Sequence, residues 1–132
     1  MRPDLHPSLD RLTERIIGAA FTVSNTLGHG FLEVVYKRAL MEEFTANALA
    51  FAVEEPFPIR YRNKVIGQYV ADLVVEQLVV VELKALETLA RAHGAQVLNY
   101  LKASRLPVGL LINFGSPRIQ LKRIILPSVA IR

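Results

Sequence analysis

The run Leu78-Val79-Val80-Val81-Glu82-Leu83-Lys84 constrains this chain more than any other stretch, because it is aliphatic until its last three residues. Side chains alternate faces along a strand, so Glu82 and Lys84 point the same way while Leu83 points the other. A charged pair therefore shares one face of an apolar strand. An unpaired charge among such neighbours costs on the order of several kcal/mol, so something must compensate it, and a metal site is one candidate. Ala71-Asp72, ten residues before Glu82, adds a second carboxylate. A third, Glu33, stands midway in Gly30-Phe31-Leu32-Glu33-Val34-Val35-Tyr36.

The flanking sequence supplies a scaffold. From Ser8 to Leu27, apolar residues at Leu9, Leu12, Ile16, Ala19, Ala20, Val23 and Leu27 follow one helix face. Ser8 or Asp10 is placed to cap its start, and Gly28 suits a left-handed C-terminus. A second helix is expected from about Phe31 to Ala48, with Leu32, Val35, Tyr36, Ala39, Leu40 and Phe44 as its stripe. After Ala50 the period becomes that of strands. Phe51 to Tyr61, punctuated by Pro56 and Pro58, reads as an edge strand. Asn63-Lys64 and Glu76-Gln77 read as tight turns leading into strands from Val65 to Val75 and from Leu78 to Leu83. Helical spacing returns from Leu89 to Ser104, Pro107 opens a buried strand through Phe114, and a last strand covers about Ile119 to Leu126. A hairpin centred between residues 76 and 77 puts Asp72 opposite Val81, so a bulge or a one-residue slip is needed to bring it opposite Glu82.

Composition narrows the classes. The 132 residues fit one domain over 1–132, with residues 1–8 as a loose arm, and a domain of this size buries about two thirds of its unfolded surface. Although 52% of residues are hydrophobic, no apolar stretch nears the roughly 18 residues that a membrane span needs. The absence of cysteine excludes disulfides, thiolate metal sites and cysteine nucleophiles, and suits a cytoplasmic location. The N-terminus lacks the basic-then-apolar layout of a signal peptide. A net charge of +4 and a pI near 9.7 favour an anionic partner, although solubility alone makes many small domains basic.

The order helix, helix, three strands, helix, strand, strand carries a set of markers. They are Gly30, Glu33 and Tyr36, then Asp72, then Glu82-Leu83-Lys84, then Gln96 with Asn99-Tyr100-Leu101, then Gly109-Leu110-Leu111-Ile112-Asn113-Phe114-Gly115. In that order they resemble the GxxExxY protein family, a branch of the PD-(D/E)xK nuclease-like superfamily, from about Leu12 to Ile125. The resemblance implies an α/β fold with a restriction-endonuclease-like core, a mixed central sheet flanked by helices. It implies Mg2+ or Mn2+ held by Asp72, Glu82 and the Leu83 carbonyl, with help from Glu33, for hydrolysis of DNA or RNA phosphodiesters. Lys84 would steer or activate the attacking water and balance charge in the transition state, a task suited to a compact charge on a flexible stem. Gln96 would orient the lysine, water or phosphate, and Tyr36, His93, Tyr100 and Arg91 are candidates to touch substrate. Nothing resembles a helix-turn-helix or an RNA-recognition aromatic pair, so base-specific readout is not expected. Ala71 replaces the proline of the nominal motif, and Gly94 stands where relatives often carry a glutamate.

Each residue also has a plainer reading. Asp72 and Glu82 could form an ordinary salt bridge with Lys84, and Glu33 lies one helical turn from Lys37. Tyr36 and Tyr100 could be packed aromatics, and His93 a surface or capping residue. Arg60, Arg62, Lys64, Arg91, Lys102, Arg105, Arg118, Lys122 and Arg123 could hold phosphates or simply be solvated. For the whole chain, the alternatives are a noncatalytic nucleic-acid or protein interaction module that retains the fold, and a metal-dependent hydrolase of another phosphate ester. A homodimer is left open.

Overall fold

A computed structural model describes residues 5–127. The elements are α1 (Pro7–Leu27), α2 (Glu33–Ala46), β1 (Phe51–Tyr61), β2 (Lys64–Val75), β3 (Val79–Lys84), α3 (Arg91–Ser104), β4 (Val108–Asn113) and β5 (Gln120–Ile125). The five strands form one mixed sheet in sequence order. β1, β2 and β3 run antiparallel, α3 carries the chain over to make β4 parallel to β3, and β5 returns antiparallel. The α/β architecture expected from the sequence is the one observed.

Packing follows the two faces of the sheet. Ile16, Ala20 and Val23 of α1 and Tyr36, Leu40 and Phe44 of α2 join Leu73, Val75, Val79, Val81 and Leu83 in the larger core. Leu101 of α3 joins Tyr69, Ala71, Val74 and Val80 in a smaller core on the opposite face. Gly109 permits this second contact, because a Cβ there would lie 2.7 Å from Val97 Cγ1. Both helix layers thus cover β3, whose residues are all buried except the half-buried Lys84.

Several boundaries differ from the sequence reading. α1 begins at Pro7, where proline suits a first helical turn, and its cap is His6 in place of Ser8 or Asp10, with the Ser8 N–H donating to His6 Nδ1 at 3.1 Å. Leu5 is buried in the larger core, so the expected loose arm is shorter than eight residues; residues 1–4 lie outside those described. α2 begins at Glu33, and Leu32 before it is 76% exposed, so Leu32 is not part of the packed stripe. The β1–β2 turn is Arg62-Asn63, with φ of 51° and 65°, the left-handed pair that a tight hairpin requires.

The β2–β3 turn settles the register. Glu76 and Gln77 take left-handed φ of 54° and 59°, and Leu78 N–H closes on the Val75 carbonyl at 3.0 Å. Leu78 is then left unpaired, so Val75 faces Val79, Val74 faces Val80 and Leu73 faces Val81. This extra residue supplies the slip that Asp72 needs. The ladder continued by one step puts Asp72 opposite Glu82.

A second irregularity sits on the other side of Asp72. Phe51, Leu73 and Val75 pack in the larger core, whereas Phe57, Tyr69 and Ala71 pack in the smaller one, although within each strand these are positions an even number apart. Strict alternation would keep them on one face. The inversion falls at Glu54 and Asp72, the one pair missing from an otherwise continuous register between Phe51 and Ile59, and Glu54 has φ 53°. The hairpin therefore crosses from one face of the sheet to the other beside Asp72.

Candidate active site

The inversion brings Tyr69 onto the same side as Glu82. Tyr69 Oη donates to Glu82 Oε1, and the Asp72 N–H donates to the same oxygen at 3.1 Å. In return the Leu83 N–H donates to Asp72 Oδ2 at 2.9 Å. Where backbone pairing between β2 and β3 stops, the two carboxylates thus take over the N–H groups of the opposing strands. Glu82 Oε2 and Asp72 Oδ1 have no hydrogen-bond partner among the described residues. Two hard oxygens on adjacent strands are left for a cation, the donor type that magnesium prefers.

Electrostatics bears on the same point. Glu82 is 8% exposed, and burial together with repulsion from Asp72 lifts its pKa to about 7, against the opposing pull of the Tyr69 hydroxyl, the Asp72 N–H and Lys84. Burial and the hydrogen bond to Glu82 push the Tyr69 phenol well above its usual range. A dication would relieve what raises Glu82, so the pair fits a divalent metal. It forms only part of a coordination shell, since among the described residues no three His, Cys, Asp or Glu side chains converge as a metal cluster.

Lys84 follows two residues after Glu82 on the same strand face, half-buried, and makes no ion pair among the described residues. Among the described residues the single ion pair is Arg123 with Asp10 at 2.6 Å. The plain reading of Asp72 and Glu82 as salt-bridge partners of Lys84 is therefore not what forms, and Arg123, tied to α1, is not free to hold a phosphate. Phe114 N–H donates to the Lys84 carbonyl at 2.9 Å, and Asn113 pairs with Lys84 across the parallel strands. The Asn113 side chain is fully buried, accepts from the Leu86 and Gly115 N–H groups, and donates to the Leu86 carbonyl, Ser116 and Gln120. Gly115 completes this joint, because a Cβ there would come 2.3 Å from the Leu86 nitrogen. One amide thus fixes the chain that leaves Lys84. Asn113→Ala is expected to cost about 2 kcal/mol, as the loss of several buried hydrogen bonds should, read from chemical denaturation; an unchanged midpoint would remove this role.

The Gly30, Glu33 and Tyr36 marker has a similar logic. Gly28 and Gly30 take φ of 70° and 113°, open to glycine at little cost. Tyr36 is fully buried, donates to the Gly28 carbonyl at 2.7 Å, accepts from Phe31 N–H at 3.2 Å and stacks on Phe114 with centroids 4.7 Å apart. Tyr36 therefore locks the α1–α2 connection, with its ring and its hydroxyl both engaged inside the protein. Glu33 is left exposed at the start of α2, where the helix dipole favours an acid. Partial burial and Asp72 raise its pKa, while Lys84 and Lys37 lower it, so Glu33 sits in the field of the site without joining the carboxylate pair.

The α3 candidates divide. His93 Nδ1 accepts the Ala90 N–H at 2.9 Å, a capping role at the start of the helix. Tyr100 stacks on Tyr69 at 3.5 Å between centroids and so abuts the carboxylates, whose charges, after burial, raise its pKa. Gln96 is exposed and has no hydrogen bond to Asp72, Glu82 or Lys84; it lines a cleft beside Tyr100. Arg91 is exposed at the first position of α3. Gly94 is covered by Lys122, whose Nζ would lie 3.3 Å from a Cβ there, so this position is apposed to a cation. The sequence reading missed Tyr69. Its only signal was a tyrosine three residues before Asp72, which simple alternation assigns to the opposite face.

A five-stranded mixed sheet with helices on both faces, and an Asp and a Glu-x-Lys on adjacent strands, define a restriction-endonuclease-like fold. The chain belongs to the PD-(D/E)XK nuclease superfamily, whose model matches residues 10–124. A solved structure described as the crystal structure of SSO0001 is similar in fold, with TM-score 0.58 and 20% identity over 92% of this chain. This chain spans 62% of that longer one. No curated protein matches. Among the described residues no helix is long and apolar enough to cross a membrane.

Proposed function

We propose that the protein is a metal-dependent nuclease of the GxxExxY branch, acting in the cytoplasm on the phosphodiester bonds of DNA or RNA. The observation that carries this reading is the Asp72–Glu82 pair, cross-braced through backbone N–H groups, with one oxygen free on each carboxylate and an unpaired Lys84 on the Glu82 face. Asp72, Glu82 and the Leu83 carbonyl would hold Mg2+ or Mn2+, and Glu33 is the additional acid in their field. The metal, when bound, lowers the pKa of its water and offsets charge on the phosphate. Lys84 places a positive charge where negative charge develops on the attacked phosphate. Tyr69 holds Glu82 in one orientation through its hydroxyl, and the Tyr100 ring backs Tyr69.

Calorimetric titration with magnesium or manganese tests the site. Wild type is expected to bind the ion and gain melting temperature, as any ligand that prefers the native state requires; Asp72→Asn should lose most of both responses. Without metal the variant should be the more stable, because one source of carboxylate repulsion is gone. Equal responses in the two proteins would remove the metal centre. Metal binding without cleavage of any DNA or RNA would favour the noncatalytic interaction module.

A further inference from the structure

The cleft lined by Gln96 and Tyr100 also takes in part of the hairpin. It has a volume of about 770 Å³ and lies between the distal half of β1 and α3. Arg60, Lys102 and Arg105 line it with Gln96, Asn99 and Tyr100, and no carboxylate does. Another cavity, of about 320 Å³, is lined by Glu55 and Glu76 and no cation, so its character is opposite. A bulge between Ile59 and Arg60 shifts the β1–β2 register at this wall, the kind of irregularity that re-aims a side chain. One wall of the cleft adjoins the carboxylates through two side chains, since Tyr100 stacks on Tyr69 and Tyr69 donates to Glu82.

We propose that this cleft is the track along which a single nucleic-acid strand approaches Asp72 and Glu82, its phosphates held by Arg60, Lys102 and Arg105. The inference rests on the nuclease reading above and adds the form and route of the substrate. A cleft of this volume matches a drug-sized ligand, room for a few nucleotides of one strand and too little to enclose a double helix. Cations along a groove with amide and aromatic groups between them suit single strands, since phosphates meet charge while bases meet flat or hydrogen-bonding surfaces. Arg105 offers a clean probe. It caps α3 with φ 63°, a conformation in which glycine avoids the Cβ penalty, so Arg105→Gly removes the charge without threatening the fold.

The test is fluorescence anisotropy of a labelled oligo-dT in EDTA, comparing Lys102→Gln/Arg105→Gly with the charge-matched Arg11→Gln/Arg38→Gln, whose arginines are exposed on α1 and α2. The cleft pair should bind at least tenfold more weakly, with a salt slope shallower by about 1.4 from the loss of two phosphate contacts, and the control pair should bind like wild type. Equal weakening in both pairs, or tighter binding of a duplex than of the single strand, would overturn the track. Because no metal is present, the two readings fail separately. Strand binding through the cleft with no cleavage on adding magnesium leaves the track and removes the nuclease. Cleavage by the cleft pair at wild-type KM leaves the nuclease and removes the track.

Discussion

Lys84→Ala is expected to lower metal-dependent cleavage of mixed single- and double-stranded DNA and RNA by about two powers of ten or more, the usual loss on removing one preorganised electrostatic group, while metal binding and the fold persist. The separation follows from where the lysine stands. Its backbone is held independently of its side chain, by the Phe114 N–H and by the parallel pairing of Lys84 with Asn113. Its ammonium makes no ion pair among the described residues, so its loss strands no partner there. The side chain is half-buried, so truncation leaves a small void at the rim and spares the core. Melting temperature and magnesium affinity close to wild type, beside a collapsed kcat, are the expected pattern. Cleavage by Lys84→Ala at the wild-type rate would sink the assignment of the lysine.

That prediction rests on residues that could be read directly, and others could not. The helices and strands follow from hydrophobic period, which is why their order was legible and the buried faces of α1 and β3 were assigned correctly. Element ends depend on local chemistry that period does not carry. His6 caps α1 through its ring nitrogen, and Leu32 stands in extended backbone as the cap residue just before α2. Asp72, Glu82 and Lys84 were visible as a motif, but their proximity depended on one unpaired residue, Leu78, that no turn rule singles out. Tyr69 was hidden because the alternation used to assign faces inverts at Glu54 and Asp72, and Glu54, not a glycine, gives no warning of a left-handed backbone. Asn113 showed only as a family marker. Its role emerges from bonds to Leu86, Ser116 and Gln120, contacts that topology creates. Gln96 lay on the expected helix, yet period cannot say that α3 would also wall a cleft against β1.

Without metal, the wild-type protein is expected to lose about 3 kcal/mol of stability as pH rises from about 4.5 to about 7, and Glu82→Gln should not. The sign follows from linkage. Glu82 has a folded pKa of about 7 against an ordinary 4.5, so between those values the native state holds a proton that the unfolded chain has released. Stability is therefore full below the unfolded pKa and declines as pH climbs through the folded one, by about 1.4 kcal/mol for each unit of difference. Glutamine is the right probe, because its carbonyl can still accept from the Tyr69 hydroxyl and the Asp72 N–H while carrying no charge. The difference between the two profiles reads the Glu82 charge together with its coupling to Asp72. Magnesium should restore the wild type at pH 7 to 8 and leave Glu82→Gln little changed, since a cation favours the ionised form that burial opposes. Parallel profiles for the two metal-free proteins would mean that Glu82 ionises freely, and the strained carboxylate pair that makes a metal site plausible here would be gone.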